Sequence, residues 1–388
     1  MSRKISLVLV ILMVLTTVMG VFEQPIKAQG QGDDPSYFKF NESTRTILGL
    51  TPLGETYYKN NGGKMVIPSQ IGWMRVERLG EFAFQNKQLT SVIIPNSIVA
   101  IDKFAFGENQ LTSIRVPSSV SIIGPYSFYG NKLTSVTIPS SVTIIGRSAF
   151  SKNQLTSVVI PNSITLIDES VFYENKLTSV TIPNKVTEIS DSAFAHNQLT
   201  SVTIPRSVKT IGMYAFMYNK LTSVTIENGV TTIGAYSFYK NQLKSVIIPS
   251  SVKIIDSCAF DENQLTSVTI ENGVETIDTY AFSKNKLTSV VIPDSVKTIG
   301  KWAFYENKLA SVIIPGSITV IDESTFRSNQ LTSVKIPDSV TKIGNFAFYN
   351  NQLTSVEIPD NVEEIKEGTF AKNKLTNVKF PKKLKTHN

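Results

Sequence analysis

Apolar side chains return along this chain at fixed places in a 22-residue unit, for example LTSVTIPSSVTIIGRSAFSKNQ over residues 133–154. Counted from its leucine, the unit is apolar at positions 1 (Leu), 4 (Val or Ile), 6 (Ile, once Val), 10 (Val or Ile), 13 (Ile) and 18 (Phe). Leucines at this spacing run from Leu89 to Leu375, which makes thirteen copies through Lys374 without insertion or deletion. A fixed period of this length specifies stacked repeats, each burying its apolar face on its neighbours. The Val-x-Ile alternation at positions 4–6 predicts a short strand. Pro at position 7 lacks an N–H and ends it. Two copies carry Glu227-Asn228-Gly229 and Glu271-Asn272-Gly273 there instead, where Asn-Gly supplies a tight turn. Val-x-x-Ile at 10–13 predicts a second extended segment. Gly or Asp at position 14, as in Asp168 and Asp322, then predicts a cap for a single helical turn through positions 15–18.

Asn occupies position 21 in all thirteen copies, Asn109 to Asn373. An amide ladder that satisfies loop backbone groups is the physical reason expected for it. At strand spacing of ~4.8 Å, thirteen copies make a continuous core on the order of 60 Å long, with the position-18 phenylalanines stacked from Phe106 to Phe370.

The flanking segments read differently. Met1–Lys4 is basic and Ile5–Val21 mostly apolar, the pattern of a secretory signal, with candidate cleavage after Gly20 or Ala28. An uncleaved membrane anchor is the competing reading. The expected organisation is a signal peptide at 1–28, a polar linker at 29–36, and a cap with an irregular first repeat at 37–88. The thirteen repeats fill 89–374, and a partial repeat with a basic tail ends the chain at 375–388. In the cap, Phe38–Phe40 and Thr46–Leu50 read as strands. Val66-Ile67-Pro68 and Ala83-Phe84 echo the repeat with five extra residues between the echoes.

Charge changes the picture little. The formal net charge of +7 comes mainly from residues 1–28, at +2, and residues 375–388, at +4, which leaves residues 29–374 at +1. A nucleic-acid binder needs a basic stripe, so that class is disfavoured. With a single cysteine, Cys258, no intramolecular disulfide or thiolate metal cluster is possible, and Cys258 reads as a tolerated substitution. His196 and His387 are the only histidines, so a histidine metal site or Ser–His–Asp relay is not expected, and His196 reads as a solvated loop residue. Asp256 and Asp278 at position 14 of adjacent copies lack an oxygen-rich calcium loop. No cofactor, metal or catalytic residue is expected.

Leu-x-x-Val-x-Ile-Pro-x-Ser-Val-x-x-Ile-x-x-x-Ala-Phe-x-x-Asn resembles the BspA-like (Treponema pallidum-type) leucine-rich repeats of bacterial surface proteins, over about residues 65–386. The chain departs from it in carrying Asn at position 21, where many members carry Cys, and in a period of 22 where 23 is common. The resemblance implies a right-handed repeat β-solenoid of short parallel strands and one-turn helices, secreted or surface-exposed. Several members are adhesins, and the family shares neither catalytic residues nor one ligand.

Positions fixed in every copy are explained by packing, so binding specificity belongs to the variable ones. Position 5, from Ile93 to Lys379, forms an outward β-branched row that an exposed strand also prefers. Positions 16 and 19 are sharper. Phe104, Tyr126, Tyr214, Tyr236, Tyr280, Trp302 and Phe346 stand at 16, and Tyr129, Tyr173, Tyr239, Tyr305 and Tyr349 at 19. On one helical turn the two positions share a face. They then form an aromatic edge suited to recognition, or rings that merely pack between coils. The expected role is non-catalytic and adhesin-like: binding a protein or glycan ligand on a host or neighbouring cell surface, without nucleic acid, and touching membrane only through an uncleaved signal segment. The alternative is a self-assembling envelope component.

Overall fold

A computed structural model describes residues 32–381. The expected signal segment, residues 29–31 of the linker, and Lys382, Lys383, Lys385 and His387 lie outside the described residues.

Residues 33–381 form a parallel β-solenoid with one coil per 22-residue copy. Two rows of strands run along it. The first lies at positions 3–6, where Ser201–Ile204 pairs in parallel with Ser223–Ile226, Ser201 opposite Ser223. The second lies at positions 12–13, with seven strands side by side from Leu166–Ile167 to Thr298–Ile299. Every pairing within the regular copies joins residues 22 apart, because an in-register stack is the one arrangement that puts all six apolar positions of each coil inside. Glu227 and Glu271, which replace proline, have an N–H to give, and donate it to Ile204 and Ile248 oxygens at 3.0 Å. Their Gly273 adopts φ +149°, and a Cβ there would lie 2.0 Å from the Ser250 oxygen, so only glycine fits.

The third side corrects one expectation. Positions 15–18 form tight turns, not a helical turn. The position-16 residue is left-handed, for example φ 55° at Tyr236 and 60° at Trp302. The N–H groups of positions 16, 18 and 20 point to the next coil: Tyr236 donates to Ser257 oxygen at 2.8 Å, Phe238 to Ala259 at 2.9 Å, and Lys240 to Asp261 at 3.1 Å. Rungs between coils take the donors a helix would have used within itself. Asp256, Asp278, Asp168 and Asp322 accept from the N–H of the next residue at 2.6–2.7 Å, an adjacent-residue bond instead of a helix cap.

The core is one column. Phenylalanines stack from Phe84, one coil earlier than the regular array, through Phe370, with centroids 5.3–5.9 Å apart and planes within 18°. Burying each such ring stabilises by about 1.5–3 kcal/mol. Beside the column runs the asparagine ladder. The Nδ2 of each donates to the position-18 carbonyl of its own coil and of the coil before, and its Oδ1 accepts from the leucine N–H. The amide thus closes its own loop and joins two coils.

At the start, strands β1 (Phe38–Asn41) and β2 (Thr46–Leu50) form an antiparallel hairpin, and β2 pairs in parallel with Arg78–Leu79. Phe38 meets the end of the phenylalanine column edge-on at 6.2 Å. Helix α1 (Pro52–Asn60), capped by the Thr51 hydroxyl, was not expected, since its nine residues include an early glycine and carry little apolar periodicity. The five extra residues of the first repeat fold out as a small hairpin, Gln70–Ile71 against Met74–Arg75, with Trp73 fully exposed at its tip. At the end, Asn377–Lys379 pairs with Ser355–Glu357, and Lys379 forms an ion pair with Glu357.

Candidate binding surface: the aromatic edge

The tight turns bring positions 16 and 19 together as a helical turn would have. Tyr126/Tyr129, Tyr236/Tyr239, Trp302/Tyr305 and Phe346/Tyr349 meet edge-to-face with centroids 5.1–5.7 Å apart. Rings also stack between coils: Phe104 on Tyr126 at 4.6 Å, Tyr214 on Tyr236 at 5.2 Å and Tyr280 on Trp302 at 5.7 Å. All ten candidates are half-buried, packed against neighbours with part of each side chain exposed. The packing and recognition readings are therefore compatible.

Serine at position 16 of three successive copies, Ser148, Ser170 and Ser192, interrupts the row. There His196 does not stand as a solvated loop residue. It stacks on Tyr218 at 4.7 Å and meets Tyr173 edge-on at 5.4 Å, continuing an aromatic line at positions 19 and 20 that single-position reading missed.

Cations from the same chain cover many of these rings. Arg147 lies over Tyr126, Lys152 over Tyr129, and Lys240 over both Tyr218 and Tyr239, at 5.3–5.6 Å. Arg327, at position 19 of its copy, sits between two aromatic pairs. Its guanidinium is 5.3 and 5.8 Å from Trp302 and Tyr305, and 5.6 and 4.9 Å from Phe346 and Tyr349.

Between Tyr236/Tyr239 and Trp302/Tyr305 the edge opens into a cavity of about 400 Å³. Small residues make it: Cys258 at position 16, then Asp261 and Ser283 at position 19. Tyr280 lines the wall, and Glu262 and Lys284 the rim. Asp261 and Cys258 are each only 6% exposed. Burial pushes the Asp261 carboxyl up, against a hydrogen bond from the Ser283 hydroxyl and the charge of Lys284. Burial likewise pushes the Cys258 thiol up. The hydrogen bond from the Tyr236 hydroxyl to the Cys258 sulfur, with burial added, pushes that phenol up to about 12. Glu262 is held low despite burial because Lys284 reaches it at 2.9 Å and Lys240 at 3.5 Å. Sequence reading passed over Cys258 and Asp261 one at a time. The signal was joint: two neighbouring copies with small residues at position 19, framed by aromatic pairs.

No group of three or more metal-ligating side chains is assembled among the described residues. The position-5 row faces outward, with Val159 80% and Val291 64% exposed.

Coil, strand rows and ladder define a leucine-rich-repeat solenoid. The family described as BspA type leucine rich repeat region matches residues 77–198, 187–310 and 297–388, and the chain belongs to that family. Among solved structures, a leucine rich cell surface protein from Faecalibacterium prausnitzii A2-165 is 28% identical, with 89% of this chain and 93% of that one covered and a TM-score of 0.52. A leucine-rich repeat protein from Bacteroides ovatus ATCC 8483 is 25% identical over 90% and 88% of the two chains, with a TM-score of 0.54. No curated protein sequence matches significantly.

Proposed function

We propose that this chain is a non-catalytic extracellular binding protein that engages a protein on a host or neighbouring cell surface through the aromatic edge. The observation that carries the reading is the row of half-buried rings at positions 16 and 19. The phenylalanine column already supplies the core, so these rings are free to vary between copies, and rigid aromatics with polar tips dominate recognition surfaces. Family membership and the cell-surface description of the F. prausnitzii protein favour an extracellular site of action. The expected signal segment, which would export the chain, agrees with that.

The test is capture of extracellular-matrix and envelope proteins by the purified chain, read against the same chain altered on the edge. A self-assembling envelope component is the second reading, favoured by the exposed β-branched residues of position 5. Light scattering across concentration separates the two: growth of assemblies supports the second, a concentration-independent monomer the first.

A further inference from the structure

The repeat contains its own control for the cavity at Cys258 and Asp261. Where Arg327 stands at position 19 between two aromatic pairs, its guanidinium fills the gap. Its Nε is buried without a hydrogen-bond partner, so the rings themselves hold the cation. Earlier along the edge a wider gap, two coils long, lies between Tyr236/Tyr239 and Trp302/Tyr305, but position 19 carries Asp261, three coils before Arg327, and then Ser283, and the gap stays open.

Charge decides what fits. Glu262 is compensated by Lys284 and Lys240. Asp261 makes no ion-pair contact among the described residues, although the charge of Lys284 reaches it, and its hydrogen bonds, from Ser283 Oγ and the Glu262 N–H, go to Oδ1 alone. Tyr236 and Tyr280 have no cation over them among the described residues, although Tyr239 and Trp302 beside them do. The cavity thus offers rings without a cation of the chain's own over them and a mostly buried carboxylate whose Oδ2 accepts no hydrogen bond among the described residues, a combination that favours a desolvated organic cation over an anion. Burial raises the carboxyl's proton affinity for the same reason that a cation is welcome there.

We propose that this notch binds the guanidinium of an arginine side chain presented by a protein partner, in the place that Arg327 takes for itself three coils later. The proposal rests on the protein-binding reading above and names the group that reading would recognise.

The chain has two tryptophans, and Trp73 stands alone on an exposed hairpin tip, so a Trp73→Phe background leaves Trp302 in the notch wall as the reporter. N-acetyl-arginine amide is titrated against Trp302 fluorescence, with N-acetyl-citrulline amide as its neutral isostere. The expected result is saturable binding of the arginine probe, with citrulline weaker by about tenfold or more. Asp261→Asn should weaken arginine binding by a similar factor. Asp261→Arg, which reproduces the self-filled gap, should abolish it. Both variants are compared with the parent by circular dichroism and melting, and if the arginine variant does not fold, the isosteric Asp261→Asn decides. Absence of saturation, equal affinity for citrulline, unchanged affinity in Asp261→Asn, or saturation by a neutral oligosaccharide in place of arginine would overturn the proposal. The two readings fail separately. A captured protein partner that Asp261→Asn still holds equally removes the notch and leaves the binding function, whereas Asp261-dependent arginine binding without any protein partner does the reverse.

Discussion

The side-chain amide of Asn241 donates to the carbonyl oxygen of Phe216, one coil earlier, at 2.9 Å. The same nitrogen reaches the Phe238 oxygen at 3.1 Å, and Oδ1 takes the Leu221 N–H at 3.0 Å. The two carbonyls are shared with the neighbouring rungs, Asn219 on Phe216 and Asn263 on Phe238, while the buried Leu221 N–H takes its bond from Asn241. Asn241→Ala is expected to destabilise the solenoid by about 2–4 kcal/mol, because a buried polar group left unpaired costs its desolvation. Asn241→Asp, which loses both donors and adds a buried charge, should cost more. Urea unfolding of the two variants checks this, and an alanine variant within about 0.5 kcal/mol of the parent would remove the ladder from the account.

Asp261 gives a pH dependence of definite sign. Folding raises its proton affinity, chiefly by burial, with Glu262 adding to the rise and Ser283 and Lys284 opposing it. The native state therefore holds this proton more tightly than the unfolded chain, whose aspartates titrate near ~3.9. The carboxyl's stabilising contribution is present below that unfolded value and is lost as pH rises through the raised native one. Asp261→Asn removes that loss, so the variant should gain on the parent as pH rises above about 4 and then hold a constant advantage. Glu262 titrates with the opposite sign, held low by Lys284 and Lys240, but it is present in both proteins and cancels in the difference. Unfolding midpoints of parent and variant that stay parallel across this range would contradict the burial of Asp261.

Cys258 provides a chemical reading of the same floor. It is the chain's one cysteine, and burial pushes its thiol up, so little reactive thiolate is present. A thiol reagent at mildly alkaline pH should react with the folded protein at least about tenfold more slowly than with the urea-unfolded chain. Equal rates would show that the cavity floor is open to solvent.

What could be read from sequence, and what could not, separates along physical lines. Leu133, Val136, Ile138, Val142, Ile145 and Phe150 announce themselves because burial demands the same side chain in every coil, and Asn153 because a buried amide has no substitute there. The turn at Tyr236 was misjudged because position 16 holds mostly tyrosine, serine and other residues that rarely adopt a positive φ. Its conformation is imposed by bonds to the next coil, such as Tyr236 N–H to Ser257 oxygen. Helix α1 was missed because nine residues carry too little periodicity. The notch was missed because Asp261 and Ser283 are ordinary by themselves and matter only through the rings on either side.

On the function proposed above, the core of each coil is fixed while the edge rings carry recognition. The direct test is the variant Tyr236→Ala/Tyr239→Ala/Trp302→Ala/Tyr305→Ala. Its half-buried rings lie outside the phenylalanine column, so the protein should keep its circular dichroism and lose only a few degrees in melting. Binding to surface proteins captured by the parent should fall by at least about a hundredfold, as expected when central aromatic anchors are removed. A folded variant that retains every captured protein with undiminished affinity would contradict the account.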